Sequence, residues 1–217
     1  MPVYYMLLDA GLFHEQIRPA LGASWKARSF EPCHALCGAL VPAAQTFAAK
    51  YHLGSERPLL CQIADGLSFD RQRWKLLAGE MLLIAAAEIP DIQTAPETLC
   101  CLLAPEHYRE GVQARDRFAP IQQAHFGTHD LVFGSKLYRP DQAGLNDPGD
   151  VQRLADYLSA QQPERWTVTN LSAFRDPVDD PDRLDELEFA REWFPVLRDL
   201  YGRAAGCRQV VVCEDIS

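Results

Sequence analysis

Residues 209–213 read Gln-Val-Val-Val-Cys (QVVVC), a β-branched run whose composition is that of a buried strand. It closes the chain after a long helical stretch. Leu187, Trp193, Val196, Leu197, Leu200 and Tyr201 form an apolar face there, interrupted at Pro195, where a kink or a helix junction is expected. Gly206 stands where a helix takes its left-handed terminal residue. The opposite end of the chain repeats the strand signal: residues 3–8 (VYYMLL) are followed by Asp9-Ala10-Gly11, a buried strand ending in a turn. Two further strands are expected, at residues 57–63 (RPLLCQI) and at residues 131–138 (LVFGSKLY), the second with a glycine bulge.

Helices fill the space between these strands. The stretch to about residue 54 reads as helical, with Pro19, Pro32 and Pro42 marking starts or breaks. From Asp70 onward, Trp74, Leu77, Ala78, Met81, Ile84 and Ala85 follow the i, i+3, i+4, i+7 spacing of one helix face. Residues 96–126 predict two shorter helices separated near Pro120. Asp147 ahead of Pro148, with Asp150 behind it, predicts a helix start whose free amides the Asp147 side chain satisfies. Val151, Leu154, Ala155 and Leu158 give that helix its buried stripe. Strands few and widely spaced among helices define an α+β class: one domain over residues 1–217, with several helices packed on a small mixed or antiparallel sheet.

The chain has 217 residues, enough to bury a substantial core, with 47% apolar residues and a formal charge of −9. The charge is local. Residues 176–192 (DPVDDPDRLDELEFARE) hold eight acids and two Arg, so two thirds of the net charge lies in 17 residues. With no compensating basic cluster, binding to nucleic acid or to an anionic membrane surface is not expected. The segment 76–89 carries Glu80 and Glu88 and is too short to span a bilayer, and the N-terminal stretch lacks the basic start of a signal peptide. The expected location is cytoplasmic, and the seven Cys fit reduced, mostly buried thiols.

Several constellations bear on chemistry. Pro32-Cys33-His34-Ala35-Leu36-Cys37 resembles one half of the zinc deaminase signature. The His-x-Glu half is missing, because His14 and Glu15 are adjacent. The competing interpretation places Cys33 and Cys37 on the buried face of a helix. Cys100 and Cys101 read as core. His125 and His129 are four apart with Asp130 beside the second, but Gly127 lies between them, which favours a loop-to-strand junction over a two-histidine helix face. Phosphate-binding glycine loops and the GxSxG elbow are absent. The acids Asp179, Asp180, Asp182, Asp185 and Glu186 lack the glycine and spacing of a calcium loop.

From about residue 70 onward the order of features resembles the YfbM-like family of uncharacterised bacterial proteins. The residues that carry it are Asp70 to Trp74 (DRQRW), Tyr138, Pro140, residues 151–158 (VQRLADYL), and Leu197, Leu200, Tyr201, Ala204 and Ala205 followed by Gly206 and residues 210–212. Residues 1–69 depart from that pattern and form a divergent N-terminal part, with 70–217 the YfbM-like part. The resemblance implies a fold class and a cytoplasmic compartment, and it transfers no catalytic residue and no cofactor.

The function expected first is a protein-binding module of immunity or accessory type, with Asp179, Asp180, Asp182, Asp185 and Glu186 facing a basic protein partner. No complete catalytic motif supports an enzyme. Two alternatives stand beside it. One is a metal-dependent hydrolase or deaminase with zinc held by Cys33, Cys37 and one of His34 or His14. The other is a small-molecule-binding domain with a pocket lined by Trp74, Trp166 and Trp193.

Overall fold

A computed structural model describes residues 3–50, 58–90, 95–109, 118–140, 142–173 and 180–215. It has the expected α+β architecture. The strands β1 (Val3–Asp9), β2 (His129–Asp130), β5 (Ala143–Asn146) and β6 (Gln209–Asp215) form a sheet in the order β1-β6-β5-β2, and β3 (Val132–Phe133) pairs with β4 (Lys136–Leu137) as a separate antiparallel hairpin. Both β2 with β5 and β5 with β6 run antiparallel. The helices are α1 (Arg18–Ala27), α2 (His34–Lys50), α3 (Leu59–Ala64), α4 (Arg71–Ala85), α5 (Pro96–Leu103), α6 (Pro105–Arg109), α7 (Pro120–Phe126), α8 (Pro148–Ser159) and α9 (Asp180–Gly206). None of the described helices is long and apolar enough to cross a membrane.

Two compact units divide the chain. The first comprises Met1–Tyr5, Pro90–Asp130 and Asp141–Ser217, and the second comprises Met6–Ile89 and Leu131–Pro140. Residue 70, where the sequence pattern changes, lies inside the second.

The first unit is built around β6, whose central position in the sheet explains its composition. Val210, Val211, Val212 and Cys213 are all buried, as expected for a strand covered on both faces. Helices α8 and α9 pack on one another and on β6, and α8 buries Val151, Leu154, Ala155 and Leu158 as its spacing predicts. A satisfied polar hub ties these elements together. Asn146 Nδ2 donates to the Gln123 carbonyl at 3.0 Å and to Tyr201 Oη at 2.8 Å. Its Oδ1 accepts from the Thr128 amide and hydroxyl, and Tyr201 donates onward to the Ala124 carbonyl at 2.6 Å. A buried network with every partner present fixes one arrangement.

The second unit wraps α1 to α4 around aromatic side chains. Trp74 is fully buried, its indole N–H donating to the Leu21 carbonyl at 3.1 Å, with Trp25 and Phe133 packed against its ring. The start of α4 follows from Asp70, whose carboxylate accepts from the Gln72 and Arg73 amides. Trp74, Leu77, Ala78, Met81 and Leu82 form its buried face, whereas Ile84 and Ala85, expected on the same face, are half-buried at the end of the helix.

Several local expectations need correction, among them the two helices expected over residues 96–126, where α5, α6 and α7 lie and Pro120 opens the third. The stretch RPLLCQI contains helix α3 (Leu59–Ala64), because a short apolar run has no periodicity of its own and a distant carboxylate, Glu80, accepts the first two amides of that helix. LVFGSKLY folds back as the β3–β4 hairpin, with Gly134 at φ +61° making a turn where a bulge was expected. Helix α9 runs through Pro195 as one element, so Pro195 is not a junction between two helices. The left-handed residue after it is Arg208 and not Gly206. Asp147 does precede α8, but its side chain makes no capping bond.

Gly127 and Gly144 allow the end of α7 to meet β5 at backbone contact: a Cβ on Gly144 would overlap the Phe126 carbonyl, and Gly127 has φ +77°. Gly144→Ala is therefore expected to cost more than about 3 kcal/mol in denaturant unfolding. Gly202→Ala, on an open helix surface, should gain about 0.5–1 kcal/mol by the same measurement.

Candidate functional site

Helix α4 is apolar on two faces. Leu76 and Leu83 lie outside the buried face and are 62% and 37% exposed, which marks an unfilled apolar surface. They form one wall of a groove of about 520 Å³, completed by Ala44 and Phe47 from α2, Pro58, Leu59 and Gln62 at the start of α3, and Tyr138 and Arg139 after β4. A volume of this order accommodates a small organic ligand. A second cavity of about 420 Å³ shares Phe47, Leu83 and Ile84 with the first and extends past Ala43 and Ala86 to Ile89.

The polar groups of the groove are few and placed by specific interactions. Glu80 accepts from the Leu59 amide at 2.9 Å and the Leu60 amide at 2.6 Å. Burial pushes its carboxyl above the ordinary range, opposed by these two bonds. Gly79 leaves room for Tyr138: a Cβ at residue 79 would come 2.7 Å from the Tyr138 hydroxyl oxygen. The Arg139 guanidinium lies 5.6 Å from the centre of the Tyr138 ring. Lys75, exposed on the first turns of α4, adds a second cation.

The residues singled out in the sequence fall elsewhere. Cys33 and Cys37 are buried. Burial pushes the Cys33 thiol up to about 11 and that of Cys37 to about 12, the latter raised further by Cys33, Glu80 and Cys61. Both thiols are therefore protonated at neutral pH. His34 is exposed, and His14 sits edge-on to Phe13 with ring centres 5.0 Å apart. Among the described residues, the group bringing three donor atoms within 4.8 Å of one another is His129, Asp147 and Asp150. This set has the chemistry to hold a divalent cation. Here Asp150 instead pairs with His129 Nε2 at 3.0 Å and with Arg153 at 3.2 Å.

Of the acidic run, Asp179 lies outside the described residues and Asp180 opens α9. Asp182 and Asp185 are exposed on the first turns of that helix, and Glu186 accepts a 2.6 Å hydrogen bond from Thr98 Oγ1. The three tryptophans do not line the groove. Trp74 is core, Trp166 packs edge-on against Phe194, and Trp193 lies against Phe189. The groove was missed because Leu76, Gly79 and Leu83 lie within a nearly continuous apolar run. Their 3–4 spacing on a second face of α4 was the available signal.

No protein-family model matches the chain, and no curated protein matches it in sequence. Among solved structures the chain is similar to the crystal structure of YfbM from Escherichia coli, a protein of unknown function. The two share 12% identity over 98% of each chain, with a TM-score of 0.46.

His125 is on α7 and fully buried, 2.7 Å through Nδ1 from the Tyr5 hydroxyl, with no hydrogen-bond partner for its Nε2 among the described residues. His129, by contrast, is exposed on β2. Burial pulls His125 down to about 3. The unfolded imidazole takes up a proton below about pH 6.5 while the folded one does not. Stability is therefore fully present above pH 6.5 and falls by roughly 1.4 kcal/mol per pH unit as pH drops toward 3. Urea unfolding at pH 7, 6 and 5 is expected to show this slope, and His125→Asn to flatten it.

Proposed function

We propose that the protein binds a small organic molecule in the groove formed by α2, α3, α4 and the segment after β4. The observation that carries this reading is the pairing of exposed apolar walls, Leu76 and Leu83, with a small set of polar groups, Lys75, Glu80 and Arg139. Leu76 and Leu83 stand on the face of α4 opposite its core-filling side and stay exposed among the described residues of the second unit. They favour a ligand with an apolar body. Seven free cysteines, six of them buried, support a reducing, cytoplasmic location.

Fluorescence titration with the neutral probe N-phenyl-1-naphthylamine tests the groove. The wild-type protein should enhance its emission. Leu83→Asp, which sets a carboxylate in the apolar wall, should weaken binding at least about tenfold at unchanged melting temperature. Equal binding by the folded variant would refute the assignment.

A second reading keeps the acidic helix start as a contact for a basic protein, favoured by the exposure of Asp182, Leu184 and Asp185 on adjacent positions. Glu186, half-exposed beside them, also accepts a hydrogen bond from Thr98 Oγ1. Charge reversal at Asp182 and Asp185 should leave the melting temperature within about 2 °C, since exposed charges contribute little to stability, and should remove a co-purifying basic partner. An unchanged set of captured proteins would contradict this reading.

A further inference from the structure

We infer that His129, Asp147 and Asp150 form a binding site for one divalent transition-metal ion, zinc being the ion that the donor set fits best. The site belongs to the first unit and stands independently of the groove. One imidazole nitrogen and two carboxylate oxygens, all within 4.8 Å of one another, come from three places in the chain: β2, the residue that follows β5, and the first turn of α8. A nitrogen with two oxygens suits zinc and its first-row neighbours better than calcium or magnesium, which take oxygen ligands. His129 Nε2 and Asp150 Oδ2 already lie 3.0 Å apart. Two ligands of a tetrahedral zinc stand about 3.4 Å apart, so an ion replaces the proton between them with little movement. The His129 side chain is 54% exposed, and the remaining coordination positions open to water.

Groups behind the three donors hold their backbones in place. Asn146, fully buried and next to Asp147 in sequence, accepts from the Thr128 amide at 2.8 Å and from the Thr128 hydroxyl at 2.7 Å. One buried side chain thereby ties together the residues that precede two of the ligands, Asp147 and His129. Its own amide nitrogen is anchored to the Gln123 carbonyl and to Tyr201 Oη. Pairing of His129 with Leu145 across β2 and β5 adds a second tie. Asp150 is oriented by Arg153, whose Nη2 donates to its Oδ1 at 3.2 Å and to Thr128 Oγ1 at 3.3 Å. That leaves Oδ2 directed at His129. A carboxylate held on one oxygen by a hydrogen-bond donor offers the other to a metal in a fixed direction. Asp147 stands at the start of α8 without capping it, so its carboxylate is not committed to the helix amides. Two carboxylates then balance the charge of the ion.

The experiment measures zinc uptake by the full, reduced chain in competition with a chromophoric chelator, with cobalt as a spectroscopic probe of the ligands. Wild-type protein is expected to take up one zinc ion per chain. Cys207→Ser, which removes the exposed thiol, should do the same. His129→Ala and Asp147→Asn should each weaken zinc binding at least about tenfold, with metal-free melting temperatures near that of the wild type. Zinc should raise the melting temperature of the wild-type protein and leave those of the two variants in place. Bound cobalt should show ligand-field bands without a thiolate charge-transfer band, as nitrogen and oxygen donors require. The site is overturned by the lack of stoichiometric zinc uptake, by a thiolate band, or by undiminished binding in folded His129→Ala and Asp147→Asn.

Discussion

The carboxylate of Glu80 accepts the first two amide hydrogens of α3, from Leu59 and Leu60, and the groove of the second unit depends on that contact. A six-residue helix does not hold itself together in water, because the cost of nucleation exceeds what so few hydrogen bonds return. Here a carboxylate from the middle of α4 supplies the missing acceptor and meets the positive end of the short helix dipole. Helix α3 is thereby fixed against α4, and Pro58, Leu59 and Gln62 become one side of a cleft. Burial works against the charge on Glu80 while the two amides favour it, so the interaction persists because both oxygens are engaged.

The opposite side of the cleft follows from the double-sided character of α4. Its inner face, from Trp74 to Leu82, is consumed by the aromatic core of the second unit. Its outer face carries Leu76, Gly79 and Leu83, too apolar for a solvated surface and too incompletely covered for a core. Tyr138 reaches this face only because residue 79 has no side chain. A rigid inner face thus presents a chemically mixed outer face, the arrangement from which a binding groove is built.

The inner face of α4, the stripe of α8 and the buried strand β6 could be read from their residues because each is a periodic or continuous pattern within one element. The helix α3 could not, since its conformation is set by a carboxylate twenty residues further on. LVFGSKLY became a hairpin for a local reason, the left-handed turn at Gly134, that a single glycine leaves ambiguous. Asp147 occupies the position of a cap without acting as one, and its carboxylate joins His129 and Asp150. The groove was hidden because Phe47, Glu80 and Tyr138 come from segments far apart in the chain, and because an apolar residue on the outer face of a helix looks the same in sequence as one on the inner face. The acidic run was visible at once, yet Glu186 turned out to hold α9 against α5 through Thr98.

Methyl NMR gives the most direct test of the claim that the outer face of α4 is a ligand site. With leucine and isoleucine methyl groups labelled, the protein is titrated with 8-anilinonaphthalene-1-sulfonate. The account predicts saturable shifts centred on Leu59, Leu76, Leu83 and Ile84, while Leu154, Leu158 and Leu184 stay in place. Shifts centred on Leu184 or on α8, with the four groove residues unmoved, would contradict it.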